Sequence, residues 1–206
     1  TVSVISIMAA VGAVSGEIES GTIYALVPRP LRRREIVLGK FLGYGLMLGL
    51  FSLLFYLAVL LIVQRITGFG APLGVGTIGL FILQPLVLLA VTICGTTFLS
   101  TLANGIAVFM LYAAGMVGGM MEQFGYLFNS EVLVKVGVVS SLIMPADAIY
   151  RKIVYDLVSV TGFSLSSILG PFGSGAEPSA WMLAYTGLYI LGFLALAIKI
   201  FTKRDI

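Results

Sequence analysis

Long apolar runs separated by short polar stretches dominate the chain. Five such runs can be marked, at residues 1–15, 36–63, 77–99, 106–121 and 181–201. Apolar runs that approach or exceed about 20 residues are typical of helices that cross the bilayer. We therefore predict five membrane-spanning helices in the visible sequence. The first run is short for a span, and the chain opens inside it on Thr1. We expect it to begin upstream, with one further span making six in the full chain.

Basic residues mark one side of this arrangement. The polar stretch from Gly16 to Lys40 carries five of the 12 basic residues, and a second group follows the last apolar run. Lys and Arg are concentrated in cytoplasmic loops. Both groups are consistent with one cytoplasmic side, and we interpret the following residues as topology and lipid-headgroup anchors: Arg32, Arg33, Arg34, Lys40, Lys203 and Arg204.

The stretch between the last two predicted spans, residues 122–180, has a different pattern. Its apolar piece, Val132 to Met144, is too short to cross and contains Lys135. Pro145 ends that piece, and Asp147 is placed to cap an amphipathic helix that follows it. We predict short re-entrant or interfacial helices on the extracellular side.

Composition supports a membrane protein and excludes several other classes. Hydrophobic residues make up 59% of the chain and charged residues 10%, whereas soluble domains carry about 25% charge. The predicted fold is an all-α polytopic membrane protein with a single transmembrane domain over residues 1–206. The net charge of +3 does not indicate nucleic-acid binding, because the basic residues lie at the ends of apolar runs. The only cysteine, Cys94, has no partner in the chain for a disulfide.

Several kinds of chemistry are also missing. The chain has no histidine, which removes Ser-His and Cys-His catalysis and most metal sites. No predicted span has a charged residue near its centre, although carriers driven by protons or sodium ions usually need one. We expect no catalytic, cofactor or metal site in this chain. If it transports, energy has to come from a partner.

The cytoplasmic loop is the segment on which a partner could act. Its first half, residues 17–26, is predicted to be a short amphipathic helix with Glu17 and Glu19 in the first turn. Pro28 and Pro30 then stiffen the connection to the next span. We define residues 17–35 as the coupling loop.

Glycines spaced at helical intervals predict close packing between helices, within or between subunits. The candidates are Gly39, Gly43, Gly45, Gly49, Gly115 and Gly119.

Ordered motifs in and after this loop resemble those of the permeases of the ABC type-2 exporter family. Glu17 to Thr22 matches an E-x-x-x-G-T stretch, Pro30 to Arg33 a P-x-x-R, and Leu38 to Lys40 an L-G-K. The chain ends in Phe201 to Asp205, which is similar to that family's F-x-x-R-D ending, and the stretch 141–151 is also similar to bacterial members.

The resemblance implies a partner and a mechanism. Two permease copies, often identical, would associate with two ATPase subunits, and the loop would dock on the ATPase. The residues expected at that contact are Glu17, Ile18, Glu19, Gly21, Thr22, Tyr24 and Leu26. ATP and Mg would bind to the partner, since this chain has no G-x-x-x-x-G-K-[ST] motif. The expected location is the cell membrane of a bacterium or archaeon. A non-transporting membrane scaffold and, less favoured by the sequence, a secondary carrier remain the alternatives.

Overall fold

The computed structural model describes residues 2–20, 33–67, 75–161 and 180–203. All regular secondary structure in these ranges is helical. In chain order the helices are α1 (Val2–Ala10), α2 (Ser15–Glu19), α3 (Arg33–Thr67), α4 (Val75–Thr96), α5 (Thr101–Leu127), α6 (Glu131–Ile143), α7 (Ala146–Thr161) and α8 (Ala180–Lys203). The predicted all-α class is confirmed.

Four of the described helices are long and apolar enough to cross a membrane: α3, α4, α5 and α8. They correspond to the last four predicted spans, but α3 and α5 extend well beyond them. α3 has 35 residues and is therefore about 52 Å long, compared with a hydrocarbon core of about 30 Å. Its charged residues lie towards its two ends, where Arg, Glu and Lys are good helix formers that can remain in contact with water.

The first predicted span is interrupted. α1 ends at Ala10, and a tightened turn follows in which the amide of Ala13 donates to the carbonyl of Ala10 over 3.0 Å. α2 then begins at Ser15, before the predicted start of the coupling helix at Glu17. The remainder of that predicted helix, residues 21–26, lies outside the described residues.

The segment after α5 contains short helices, as predicted. α5 ends where Asn129 adopts φ 52° and the amide of Ser130 bonds back to the carbonyl of Gly125 at 2.9 Å, which is a Schellman-type ending. α6 has 13 residues, and the axis bends by 107° between α6 and α7. These two helices count as at most one further candidate span.

Two details of this segment differ from prediction. α5 continues to Leu127, so residues 122–127, which the sequence suggested were part of the external segment, belong to a long apolar helix. Asp147 lies inside the first turn of α7, and its carboxylate contacts Arg151, one turn later. The backbone carbonyl of Pro145 accepts the amide of Ile149, which places the start of the helix before Asp147.

The chain forms two compact units, each described by itself. The first unit comprises residues 1–49, 85–110 and 185–206. Its core is an apolar cluster built from α1, α3, α4, α8 and the turn after α1, and its fully buried members include Ala10, Val37, Ile93 and Phe201. α4 is its most enclosed helix: 67% of its apolar stretch is buried, against 17% for α3.

The second unit comprises residues 50–84 and 111–184. Aromatic rings join two of its helices, with the Tyr56 and Phe81 centroids 5.4 Å apart. Glycines allow α5 and α6 to approach each other closely. A Cβ on Gly118 would overlap Ser140, and one on Gly137 would overlap Glu122.

Candidate functional site

The candidate site is the segment between α1 and α3, with the side chains that hold it. The described part of this segment, residues 11–20, lies in the first unit. Ala13, Val14 and Ser15 are buried, whereas Glu19 and Ser20 are exposed. The segment is therefore packed against the protein along its first half and open to solvent at its end.

An ion pair connects this segment to α3. The Lys40 ammonium lies 2.7 Å from the Glu17 carboxylate and also donates to the carbonyl of Ala13. The side chain of Lys40 is 15% exposed and that of Glu17 is 38% exposed, so the pair is partly shielded from water. Lys40, expected to face lipid headgroups, thus joins α3 to both the turn and α2.

A second carboxylate connects the segment to the start of α5. Glu19 accepts the backbone amide of Thr101 through one oxygen and the Thr101 hydroxyl through the other, both at 3.0 Å. Thr101 is the first residue of α5, and its amide is one of the donors that the helix itself cannot satisfy. A negative charge there also interacts favourably with the helix dipole. The Ser15 hydroxyl lies 2.9 Å from the Thr101 hydroxyl.

Asn104 connects the same segment to α4. Its side-chain amide donates to the carbonyls of Val11 and Thr92, each at 3.1 Å, and the residue is fully buried. Backbone carbonyl oxygens only accept hydrogen bonds, so the side-chain atom of Asn104 that faces both of them is assigned as the amide nitrogen. We call Ser15, Glu19, Thr101 and Asn104 the polar latch.

The structure places the other predicted coupling and anchor residues as follows. Ile18 lies in α2, Arg33 opens α3, Arg34 is exposed, and Lys203 ends α8. The remaining ones lie outside the described residues: Gly21, Thr22, Tyr24, Leu26, Arg32 and Arg204.

The predicted packing glycines divide into two groups. A Cβ on Gly45 would contact Leu86, one on Gly115 would contact Met144, and one on Gly119 would overlap the Asp147 carboxylate. By contrast, nothing in the described chain lies within 4 Å of a Cβ at Gly39 or Gly43. Gly49 is half-buried in α3.

A charged cluster in the second unit was not predicted. Arg151 pairs with Glu122 at 2.9 Å and with Asp147 at 3.1 Å, and it donates to the Ser141 hydroxyl at 3.0 Å. All three charged side chains are about 10% exposed. We call Glu122, Asp147 and Arg151 the ion triad. Burial raises the pKa of Asp147 to about 6; the positive charge of Arg151 opposes this and the negative charge of Glu122 adds to it.

Sequence reasoning missed most of these partners. The site residues predicted from the sequence do not include Ser15, Thr101, Asn104, Glu122 or Arg151. The sequence contains a weak indication of these contacts. Thr101 and Asn104 are three residues apart and Asp147 and Arg151 are four apart, so each pair shares a helix face.

Long apolar helices with a polar segment anchored between them define a multi-pass membrane protein. The sequence profile of the family described as ABC-2 family transporter protein matches residues 1–206, and the chain belongs to this family. It is 31% identical over 213 residues to the "Probable ABC transporter permease protein NosY" of Pseudomonas aeruginosa, covering 98% of this chain and 75% of that protein. The protein of the same name from Stutzerimonas stutzeri is 31% identical over 226 residues, covering 97% of this chain and 75% of that protein. The chain is the membrane subunit of an ABC transporter, a class that works with an ATPase partner.

Proposed function

We propose that this chain couples ATP hydrolysis on a separate ATPase subunit to the export of a substrate across the cell membrane of a bacterium or archaeon. ATP and Mg would bind to the ATPase, and this chain would contribute no catalytic residue. The segment 17–26 would dock on the ATPase, with Glu17, Ile18, Glu19, Gly21, Thr22, Tyr24 and Leu26 at or near the contact. The relatives named as permeases support the general assignment.

The observation that carries the proposal is that the segment is anchored at several points. Lys40 holds it to α3 through Glu17, and Thr101 holds it to α5 through Glu19. A short helix fixed to two long helices can transmit a displacement into both of them, whereas a free loop would absorb it. In the described parts of α4 no charged residue occurs, which supports a mechanical rather than an ion-coupled input.

Two copies of the chain would assemble with two ATPase subunits. The exposed face of α3 supports a contact with a second copy. No described residue comes within 4 Å of a Cβ at Gly39 or Gly43, and the neighbouring Leu42 and Leu46 are 61% and 75% exposed. Small residues on an apolar helix allow another helix to approach closely. Gly43→Leu is therefore expected to lower the amount of paired permease in a crosslinking assay. Wild-type pairing in that variant would contradict this contact.

The test of coupling uses the complex purified with its ATPase and reconstituted in lipid vesicles. Glu19→Ala and Tyr24→Ala are expected to lower ATP hydrolysis by the complex relative to the isolated ATPase, by about fivefold or more, while insertion and expression stay normal. Glu131→Ala, which removes an exposed carboxylate on α6, is the matched control. Unchanged hydrolysis in both coupling variants, or no permease-dependent hydrolysis in the wild type, would favour the scaffold alternative.

A further inference from the structure

Asn104 stands apart from the other members of the polar latch. Its two side-chain donors both bond to backbone carbonyls, one in the turn after α1 and one in α4. Asn104 itself belongs to α5, so one buried amide connects three parts of the first unit. Because its partners are backbone atoms, the connection does not depend on the rotamer of another side chain.

The space for this side chain is created by a glycine. A Cβ on Gly95 would overlap the Asn104 amide oxygen. That oxygen has no hydrogen-bond partner among the described residues. A buried amide group left half-satisfied is costly, so Asn is an expensive choice where an apolar residue would fill the space equally well.

Two other members of the latch, Glu19 and Thr101, are more accessible to water than Asn104. Glu19 is exposed, and its bonds to Thr101 compete with solvent. Hydrogen bonds are stronger inside a low-dielectric interior than in water. Ser15 is also buried but reaches only α5, so Asn104 is the buried member that can hold the segment to both α4 and α5 while its exposed end is pulled by a partner.

We propose that Asn104 is a positioning residue that makes residues 11–19 and the turn between α4 and α5 move as one body. A displacement delivered to the docking segment then reaches α4 and α5 as well as α3. This inference rests on the proposed function, because it assigns a route to the motion that the ATPase supplies. Without Asn104 the segment loses its bond to α4, and its connection to α5 is left to the contacts of Thr101 with Glu19 and Ser15.

The first measurement is ATP hydrolysis by the reconstituted complex relative to the isolated ATPase. Asn104→Leu keeps a side chain of similar size and removes both donors. It is expected to lower this ratio about fivefold or more, with the KM for ATP and the amount of assembled complex unchanged. The matched control is Thr202→Val, since in the described part of the chain the Thr202 hydroxyl bonds only to carbonyls of its own helix. An unchanged ratio in Asn104→Leu would overturn the proposal.

The second measurement replaces the lost connection with a covalent one. The hydroxyls of Ser15 and Thr101 lie 2.9 Å apart, so cysteines at these positions are close enough to form a disulfide. They are introduced into Asn104→Leu together with Cys94→Ala, which removes the chain's only native thiol. Oxidation is expected to restore hydrolysis and reduction to abolish it again. Should Asn104→Leu fail to assemble, the same comparison is made with Gly95→Ala, which displaces the amide.

The outcomes separate the inference from the function. If the disulfide forms and hydrolysis is not restored, Asn104 acts only in packing and the inference fails, while the proposed function stands. If the wild-type complex shows no permease-dependent hydrolysis, the proposed function fails. Restoration by oxidation in the Asn104→Leu background supports the inference, since a role in core packing alone would not be repaired by a bond between residues 15 and 101.

Discussion

In both units a polar side chain lies where a helical glycine leaves room for it, but the two units satisfy that side chain in different ways. In the first unit Asn104 lies against Gly95 and donates to two backbone carbonyls. In the second unit Asp147 lies against Gly119 and is paired with Arg151. The first arrangement is neutral, whereas the second brings two carboxylates to one guanidinium.

The difference concerns what happens when a partner is lost. Removing a donor to a buried backbone carbonyl leaves a neutral acceptor unpaired, at a cost of about 1–3 kcal/mol. Removing the cation of a buried ion cluster leaves charges that nothing nearby compensates, and the cost is larger. The neutral contact suits a connection that carries motion, and the ion triad suits a fixed attachment of α7 to α5.

The largest effect is expected from breaking the ion triad. Arg151→Met leaves Glu122 and Asp147 buried without a counter-charge and is expected to lower the free energy of unfolding by about 3–5 kcal/mol. Unfolding in mixed detergent micelles measures this. Lys135→Met is the control, because its pair with Glu131 is 75% and 84% exposed and is expected to contribute under about 1 kcal/mol. The triple change Glu122→Gln, Asp147→Asn and Arg151→Met is expected to recover much of the loss. Equal costs for Arg151→Met and Lys135→Met would show that the buried ion triad contributes no more to stability than an exposed ion pair.

A smaller effect is expected from filling the glycine spaces. Gly119→Ala places a methyl group onto the Asp147 carboxylate, which Arg151 holds, and is expected to cost about 1–3 kcal/mol. Gly79→Ala, with nothing in the described chain within 4 Å of its Cβ, is expected to be neutral or slightly stabilising, because alanine favours the helix. The same unfolding assay applies. A Gly119→Ala protein as stable as Gly79→Ala would show that α5 and α7 separate easily.

The smallest effect is expected from pH. The folded-state pKa of Asp147, about 6, lies above its ordinary value of 3.8, so the folded protein binds this proton more tightly than the unfolded chain. This group therefore contributes its full stabilisation below pH 3.8, and the contribution is lost as the pH rises through about 6. Between pH 5 and 6 the free energy of unfolding is expected to fall by about 1 kcal/mol. Asp147→Asn is expected to flatten this profile, and an identical slope in that variant would assign the titration to another group.

The long apolar helices could be predicted from sequence because lipid selects for continuous hydrophobicity. The ends of α3 and α5 could not, since a helix can continue through charged residues once it leaves the apolar region. The break after Ala10 was also missed, because the turn that follows is as apolar as the helix before it.

The partners in the two polar clusters were harder to predict for a different reason. Asn104 bonds to carbonyls of Val11 and Thr92, and a backbone carbonyl leaves no mark in the identity of its residue. Glu122 and Arg151 are 29 residues apart, so only the folded arrangement of α5 and α7 joins them. A spacing of four residues, as between Asp147 and Arg151, is common for pairs on the surface of a helix and does not point to a third, distant partner.

The apolar cluster of the first unit also has a consequence for biosynthesis. It joins Ala10 near the beginning of the sequence to Ala197 and Phe201 in its last helix. The ion triad needs nothing beyond residue 151. During translation the helices of the ion triad are therefore available for packing while the ribosome is still making α8. The apolar surface of the first unit that α8 covers stays uncovered until that helix enters the membrane. A nascent chain that stalls before α8 would leave this apolar surface uncovered.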